Sequence, residues 1–269
     1  MSGKMVILVT GASRGIGRAL AEELVRRGHT VYGGGRSWDD AAGLGFTPLD
    51  MDMRDDGSVK AAVERVAAEQ GRLDVLVNNA GVSHSGSVED TDLETAHAMF
   101  ETNYLGVVRA VRATLPVMRK QGSGTIVNVG SAAGKIGIPF QAHYAASKFA
   151  VEGLSEALYH ELKPFGLRVL LIEPGDVGTT IWERNKSRAP EGSPYFQAVE
   201  RFLQVKDREM GARATSPEDV AREIAGIIES PSRRLRRPVA RGAGLFLLAR
   251  KLLPDRVFLW AVGRNYRIK

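Results

Sequence analysis

Short apolar runs alternate with stretches of helical spacing along most of this chain. The runs at 5–10, 30–33, 46–49, 75–78, 125–129, 168–172 and, more weakly, 238–240 are brief and often rich in β-branched residues. That pattern predicts strands. Between most of them apolar residues recur every three or four positions, as with Leu20, Leu24 and Val25 in 18–27 and Phe149, Leu154, Leu158 and Leu162 in 144–162. That spacing predicts amphipathic helices. The alternation as a whole predicts an α/β fold: a doubly wound parallel sheet of about seven strands with helices on both faces. A length of 269 residues suits one such domain with a sizeable core. No internal repeat, low-complexity linker or second domain interrupts the pattern.

The first strand runs into Gly11-Ala12-Ser13-Arg14-Gly15-Ile16-Gly17 and then into a helix. Strand, glycine-rich turn and helix place backbone amides and a helix N-terminus against a pyrophosphate. The glycine spacing is G-x-x-x-G-x-G, not the commoner G-x-G-x-x-G, but both serve a sharp turn and close approach of backbone to phosphate. Further on, Tyr144 and Lys148 stand four apart on a predicted helix and so share a face. A tyrosine hydroxyl titrates near ~10. A fixed cation beside it favours the phenolate and lowers that value. Such a tyrosine could exchange a proton with an alcohol or carbonyl near neutral pH. His143 is adjacent in sequence, but neighbours on a helix point about 100° apart, so it should face elsewhere. His84 and Ser85 are candidates for the wall of a substrate cleft.

Thr10 to Gly17, Asn78-Asn79-Ala80-Gly81, Asn103, Ser131, Tyr144 with Lys148, and Pro174-Gly175 occur in that order. The set, spanning about residues 6–228, resembles the compact single-domain branch of the short-chain dehydrogenase/reductase family. Glu173 before Pro-Gly, with the long tail, is similar to its steroid/retinol dehydrogenase-like members. The resemblance implies a Rossmann-type fold and hydride transfer between a nicotinamide cofactor and a ketone or secondary alcohol. In that scheme Ser131 bonds the substrate oxygen and Tyr144 delivers the proton. Lys148 lowers the tyrosine pKa and holds the nicotinamide ribose, and Asn103, on a central helix, holds a relay water. The resemblance further places Gly175 and Val177 at the nicotinamide, Thr179 at its carboxamide or at a phosphate, and Asp52-Met53 at the adenine. Asn79, Ala80 and Gly81 border the adenosine ribose. Family members usually form dimers or tetramers through the helices bearing Asn103 and Tyr144.

An acid at the end of the second strand binds the ribose 2′-hydroxyl in NAD enzymes of this fold. Gly35 holds that position here. Arg36 and Ser37 follow it, and Arg14 lies in the glycine turn where NADP-preferring relatives carry a base. Arginine suits phosphate through charge-assisted bonds. The expected cofactor is NADP(H).

Charge changes the picture at one end. The formal net charge is +6, yet from Arg233 to Lys269 eleven lysines and arginines face one acid, Asp255, a net of +10, so the rest of the chain is acidic. The same segment carries Leu245, Phe246, Leu247, Leu248, Leu252, Leu253, Val257, Phe258, Leu259, Trp260 and Val262. It reads as two short helices broken at Pro254. Charges interrupt the apolar run, so a bilayer span is not expected. A basic amphipathic helix can lie on an anionic membrane; packing on the body is the favoured alternative. Residues 1–242 are thus expected to form one catalytic domain with a substrate lid at about 179–212, and 243–269 a helical tail packed on it. The loop 179–212 is apolar (Ile181, Trp182, Tyr195, Phe196, Phe202, Leu203), which suits a hydrophobic substrate.

No cysteine is present, so no disulfide forms and nothing points to an oxidising compartment. No signal-peptide pattern is apparent, and a cytoplasmic location is expected. No nucleic-acid motif accompanies the basic stretch, and no nucleic-acid or metal partner is expected. The alternatives are a 3-oxoacyl thioester reductase whose basic tail docks an acidic carrier, a non-catalytic NADP(H) sensor, and a membrane-peripheral scaffold.

Overall fold

A computed structural model describes residues 3–38, 43–212 and 214–268. Seven parallel strands form one sheet: β1 (Val6–Thr10), β2 (Thr30–Gly35), β3 (Thr47–Asp50), β4 (Val75–Asn78), β5 (Thr125–Val129), β6 (Arg168–Pro174) and β7 (Arg236–Val239). Their spatial order is β3-β2-β1-β4-β5-β6-β7. The order reverses between β1 and β4, and ligands of such sheets bind beyond the strand ends at that crevice.

The central strands are buried on both faces, which is why they read as continuous apolar runs rather than as alternating ones. One face is covered by α2 (Asp56–Gln70), α4 (Gly106–Gln121) and α5 (Ala142–Glu161), with Leu8, Leu76, Val111 and Leu171 in the shared core. The other is covered by α1 (Gly15–Arg26) and α8 (Pro217–Glu229), over Ile7, Val9, Val77 and Ile172.

Strand bounds shift from the sequence reading, most clearly at β2 and β7; β6 also runs on to Pro174. β2 continues through Gly34 and Gly35 because those glycines leave room for side chains crossing the sheet. A Cβ on Gly34 would lie 2.5 Å from the Met51 sulfur, and one on Gly35 would lie 3.0 Å from the Trp38 ring. β7 begins two residues earlier than expected. Its arginines were misleading, since Arg236 neutralises itself against Glu152 and Glu156 on α5 while pairing with Leu171 of β6.

The helix ahead of α4 is not regular. α3 (Leu93–Phe100) joins α4 through one π-helical turn, Glu101–Leu105, with Asn103 at its centre. Such turns concentrate at functional sites. The 179–212 segment, read as a loop, contains α6 (Thr180–Asn185) and α7 (Phe196–Ala212). Beyond β7 lie α9 (Ala243–Leu252) and α10 (Asp255–Asn265), broken at Pro254 as the sequence suggested. A third apolar cluster joins this region to α6 and α7: Phe258, Val262 and Tyr266 are buried with Trp182, Phe202 and Leu203.

Candidate active site

A cleft of about 500 Å³ opens beyond the ends of β1, β4, β5 and β6. Its first wall is the glycine turn. Gly11 has φ +68°, and a Cβ there would lie 2.7 Å from Ala80 Cα. A Cβ on Gly17 would stand 2.3 Å from both the Gly11 carbonyl oxygen and Asn79 Nδ2. Only glycine fits at either place. Thr10 locks the turn to β4, its hydroxyl accepting from the backbone N–H groups of Asn79 and Ala80, each at 3.0 Å. The Asn79 side chain donates to the Thr10 carbonyl at 2.9 Å. Its amide therefore holds the turn in shape, and it is the backbone of 79–81 that borders the cleft.

The N-terminus of α1 differs from those of its neighbours. Asp55, Asp92 and Ser216 cap α2, α3 and α8 through their side chains. The residue before α1 is Arg14, which makes no side-chain cap, and no acid lies in the first turn. The free amides and the positive end of the helix dipole suit an anion. Arg14 and Arg36 are exposed at this rim and make no ion pair among the described residues. Ser13, Gly15, Ile16 and Ser37 share the wall, and Asp52 and Met53 close the far end. Arg54, with help from Arg36, holds the Asp52 carboxyl below its ordinary range.

The opposite end of the cleft gathers the hydroxyls. Ser131 caps the short 3-10 turn Ala132–Gly134, its Oγ accepting from Ala133 N at 3.1 Å. That leaves its hydrogen free at the end of the cleft that it shares with Tyr144. Tyr144 lies on the first turn of α5 and Lys148 one turn on. Lys148 is buried, and its Nζ donates to the Val129 carbonyl at 2.9 Å. Burial pulls its pKa down to about 8. Enclosure pushes the Tyr144 phenol up, while the neighbouring Ser131 hydroxyl and the charge of Lys206 pull it down. The Lys148 Nζ, while it donates to Val129, stands 5.9 Å from the Tyr144 ring centroid.

Asn103 and Gly17 lie just behind the wall. The Asn103 side chain accepts from Val82 N and donates to Val82 O, both at 2.8 Å, and also donates to Ser147 Oγ at 2.9 Å. It ties the loop after β4 to α5, one residue from Lys148. Pro174, Gly175, Val177 and Thr179 line the rest of the cleft. His84 and Ser85 do not reach it. Ser85 is buried and bridges to Lys186. His143 also lies off the cleft wall, as its angular offset from Tyr144 required.

Sequence reasoning missed Lys206. This lysine is 5% exposed and lines the cleft from α7. It donates to Asp176 at 2.7 Å, lies 3.2 Å from Glu209, and sits under the Tyr266 ring. Its neighbours raise its pKa well above the ordinary lysine range despite burial. The signal was present in the periodicity: Val199, Phe202, Leu203, Lys206 and Met210 form one buried stripe with a lysine inside it.

The short chain dehydrogenase family model matches residues 5–190. The 3-ketodihydrosphingosine reductase of Bacteroides thetaiotaomicron is 38% identical over 267 residues, 98% of each chain. The 17-beta-hydroxysteroid dehydrogenase type 1 of Homo sapiens is 36% identical over 253 residues, 87% of this chain and 76% of its own. A short-chain dehydrogenase from Streptomyces avermitilis superposes with a TM-score of 0.82 at 31% identity, covering 99% of this chain and 97% of its own. Two further solved short-chain dehydrogenases carry different cofactors. That of Burkholderia cenocepacia holds NADP (TM-score 0.76, 26% identity, 98% and 97% covered), and that of Burkholderia phymatum holds NAD (0.79, 28%, 96% and 95%). With the sheet order, the glycine turn and the Ser131–Tyr144–Lys148 arrangement already in place, these likenesses show that the chain is an oxidoreductase belonging to the short-chain dehydrogenase/reductase family.

Proposed function

We propose that the protein is an NADP(H)-dependent oxidoreductase acting on a hydrophobic ketone or the corresponding secondary alcohol, with Tyr144 as acid and base. The observation that carries this reading is that the Ser131 and Tyr144 side chains line one cleft together with buried Lys148, one helical turn from the tyrosine. A bound nicotinamide would supply or accept the hydride. Ser131, Tyr144 and Lys148 do the rest. The two hydroxyls hold the substrate oxygen between them, and Ser131 offers its hydrogen as charge develops there. Tyr144 gives the proton in reduction and takes it in oxidation. Lys148, half-neutral near pH 8, is suited to return a proton to the phenol. Asn103 acts as a positioning residue, since it fastens both the 81–82 loop and Ser147.

Preference for NADP(H) rests on three features. Gly35 offers no carboxylate to a 2′-hydroxyl, and a side chain there would crowd the Trp38 ring, 3.0 Å from its Cβ. Arg14 and Arg36 supply exposed cations at the same rim, with no ion pair among the described residues. Gly11, Gly15 and Gly17 with the open end of α1 would seat the pyrophosphate, while Asp52 and Met53 would meet the adenine and Val177 and Thr179 the carboxamide.

A hydrophobic substrate is favoured by Ile138, Trp182 and Met210 among the residues that line the cleft. The names of two relatives agree, one a reductase of a 3-keto compound and the other a hydroxysteroid dehydrogenase. A 3-oxoacyl thioester reductase is the runner-up. The 3-oxoacyl-[acyl-carrier-protein] reductase of Salmonella typhimurium is 37% identical over 65% of this chain and 75% of its own. Exposed Leu105 and Phe149, next to the helices that pair subunits in this family, support a homodimer or homotetramer. We read residues 1–242 as the catalytic body and place it in the cytoplasm. The deciding experiment follows NADPH and NADH oxidation against ketones, steroids, quinones and acyl thioesters. No turnover with any ketone would overturn the reading.

A further inference from the structure

Helices α9 and α10 are half packed and half bare. Ala243 sits against the cleft loop, where a Cβ on Gly175 would lie 3.3 Å from its own. Phe258, Val262 and Tyr266, four apart, are buried against Phe202 and Trp182. The other side is apolar as well. Leu245, Leu248 and Leu252, spaced to share one helix face, are 75, 50 and 69% exposed, and Trp260 on α10 is 62% exposed. Val257 and Leu259 are exposed beside it. Ordinary surfaces scatter such residues singly. Here they form consecutive ridges on two adjacent helices.

The charges around these ridges have one sign. Lys251, Arg256 and Arg264 are exposed, and the Arg264 guanidinium lies over the Trp260 ring at 5.3 Å. The only acid between Gly242 and Ile268 is Asp255, and Arg250 already pairs with it at 2.5 Å. Among the described residues no helix is long and apolar enough to cross a membrane. An apolar ridge, flanking cations and an interfacial tryptophan on short helices suit a surface that is apolar below and anionic above.

We propose that the bare face of α9 and α10 docks on an anionic lipid surface. A second copy of the chain is the other candidate. A two-fold contact through this face would set Lys251, Arg256 and Arg264 against the same residues of its mate, like against like. Anionic headgroups reverse that sign. The docked face is rooted at the cleft through Ala243 on Gly175 and Tyr266 on Lys206. The cleft therefore lies close to the bilayer and receives hydrophobic substrate from it, a consequence that rests on the proposed function, whereas docking itself does not.

The test floats the full chain with vesicles of phosphatidylcholine containing about a third phosphatidylglycerol. Flotation is expected, with a blue shift of Trp260 emission, and it should weaken on pure phosphatidylcholine or in about 0.5 M NaCl. The combined variant Lys251→Gln, Arg256→Gln, Arg264→Gln should bind on the order of 100-fold more weakly. Leu248→Asn with Leu252→Asn should also lose binding. Both should keep the melting temperature and the turnover of a water-soluble ketone. Trp260→Phe should abolish the blue shift while retaining most flotation. Absent flotation, binding indifferent to the charge variant, or an oligomer that dissociates on changing Leu248 and Leu252 would overturn the proposal. If flotation holds but no ketone is turned over, docking stands and the proposed function falls.

Discussion

The Lys148 ammonium faces the Val129 carbonyl oxygen at 2.9 Å and stands 5.9 Å from the Tyr144 ring centroid. The two residues share a face of α5, yet the lysine is oriented by a strand end rather than by the phenol. Burial brings its pKa to about 8, so it titrates in a range that assays reach.

Tyr144→Phe is expected to leave NADPH binding nearly intact and to lower turnover at least ~100-fold, the low end of what a positioned acid contributes. Lys148→Ala should weaken both turnover and cofactor binding. Stopped-flow hydride transfer and fluorescence titration separate the two effects. Near-normal turnover by Tyr144→Phe with a good substrate would remove the tyrosine from the proton path.

Arg14→Ala and Arg36→Ala should each weaken NADPH roughly 10- to 100-fold, about 1.5–3 kcal/mol for a charge-assisted bond. NADH should change much less. Gly35→Asp, the obvious switch toward NADH, should fail, because its Cβ would lie 3.0 Å from the Trp38 ring. We expect a loss of about 1–3 kcal/mol in stability from that crowding. Denaturant titrations and Kd values for both cofactors check this; a stable Gly35→Asp protein with tightened NADH binding would contradict it.

Lys206→Met removes a buried cation facing half-exposed Asp176 and partly buried Glu209. Solvent at Asp176 softens the cost to about 1–3 kcal/mol. Because Lys206 draws the Tyr144 pKa down, its loss should move the alkaline limb of the reduction rate to higher pH. Lys206→Arg should keep the limb in place even if packing suffers. Identical pH profiles for all three proteins would show that the charge does not reach the phenol.

Glu173, 2% exposed beside Glu152, has its pKa pushed up to about 7 by burial and by that second carboxylate. Below the unfolded value of 4.5 both states are protonated. Between 4.5 and about 7 the unfolded chain releases the proton while the fold keeps it. Stability from this group is therefore full at low pH and is lost as pH rises through that window, by about 3 kcal/mol at most. Glu173→Gln should match the parent near pH 5, flatten the slope and be the more stable protein at pH 8. Unfolding free energies across that range decide it, and parallel curves would rule the account out.

Phe258→Ala should cost about 3 kcal/mol, since the ring is 3% exposed within the cluster shared with α6 and α7. Truncation after Gly242 removes Val262 and Tyr266 as well, and should lower the melting temperature further, with aggregation or a changed substrate range. A truncated protein with the parent's melting temperature and kinetics would show that the contacts of α10 contribute nothing.

Much of this molecule could be read from local pattern. A strand buried on both faces must be apolar throughout, so β1, β4 and β5 were visible as runs; a turn that admits no Cβ must be glycine, so Gly11 and Gly17 stood out; and residues four apart on a helix share a face, so Tyr144 and Lys148 could be paired. The tertiary structure decided what depends on neighbours distant in sequence. Which way Lys148 faces is set by Val129 on β5. Why Gly35 is a glycine is answered by the Trp38 ring above it. That Lys206 lines the same cleft as the tyrosine follows from the packing of α7 over it, and that one face of the tail is buried while its leucine ridge is bare follows from where Phe202 and Trp182 stand. Periodicity marks a face as apolar, but only the fold determines whether that face meets protein or is left open, because burial is a property of the partner as much as of the residue.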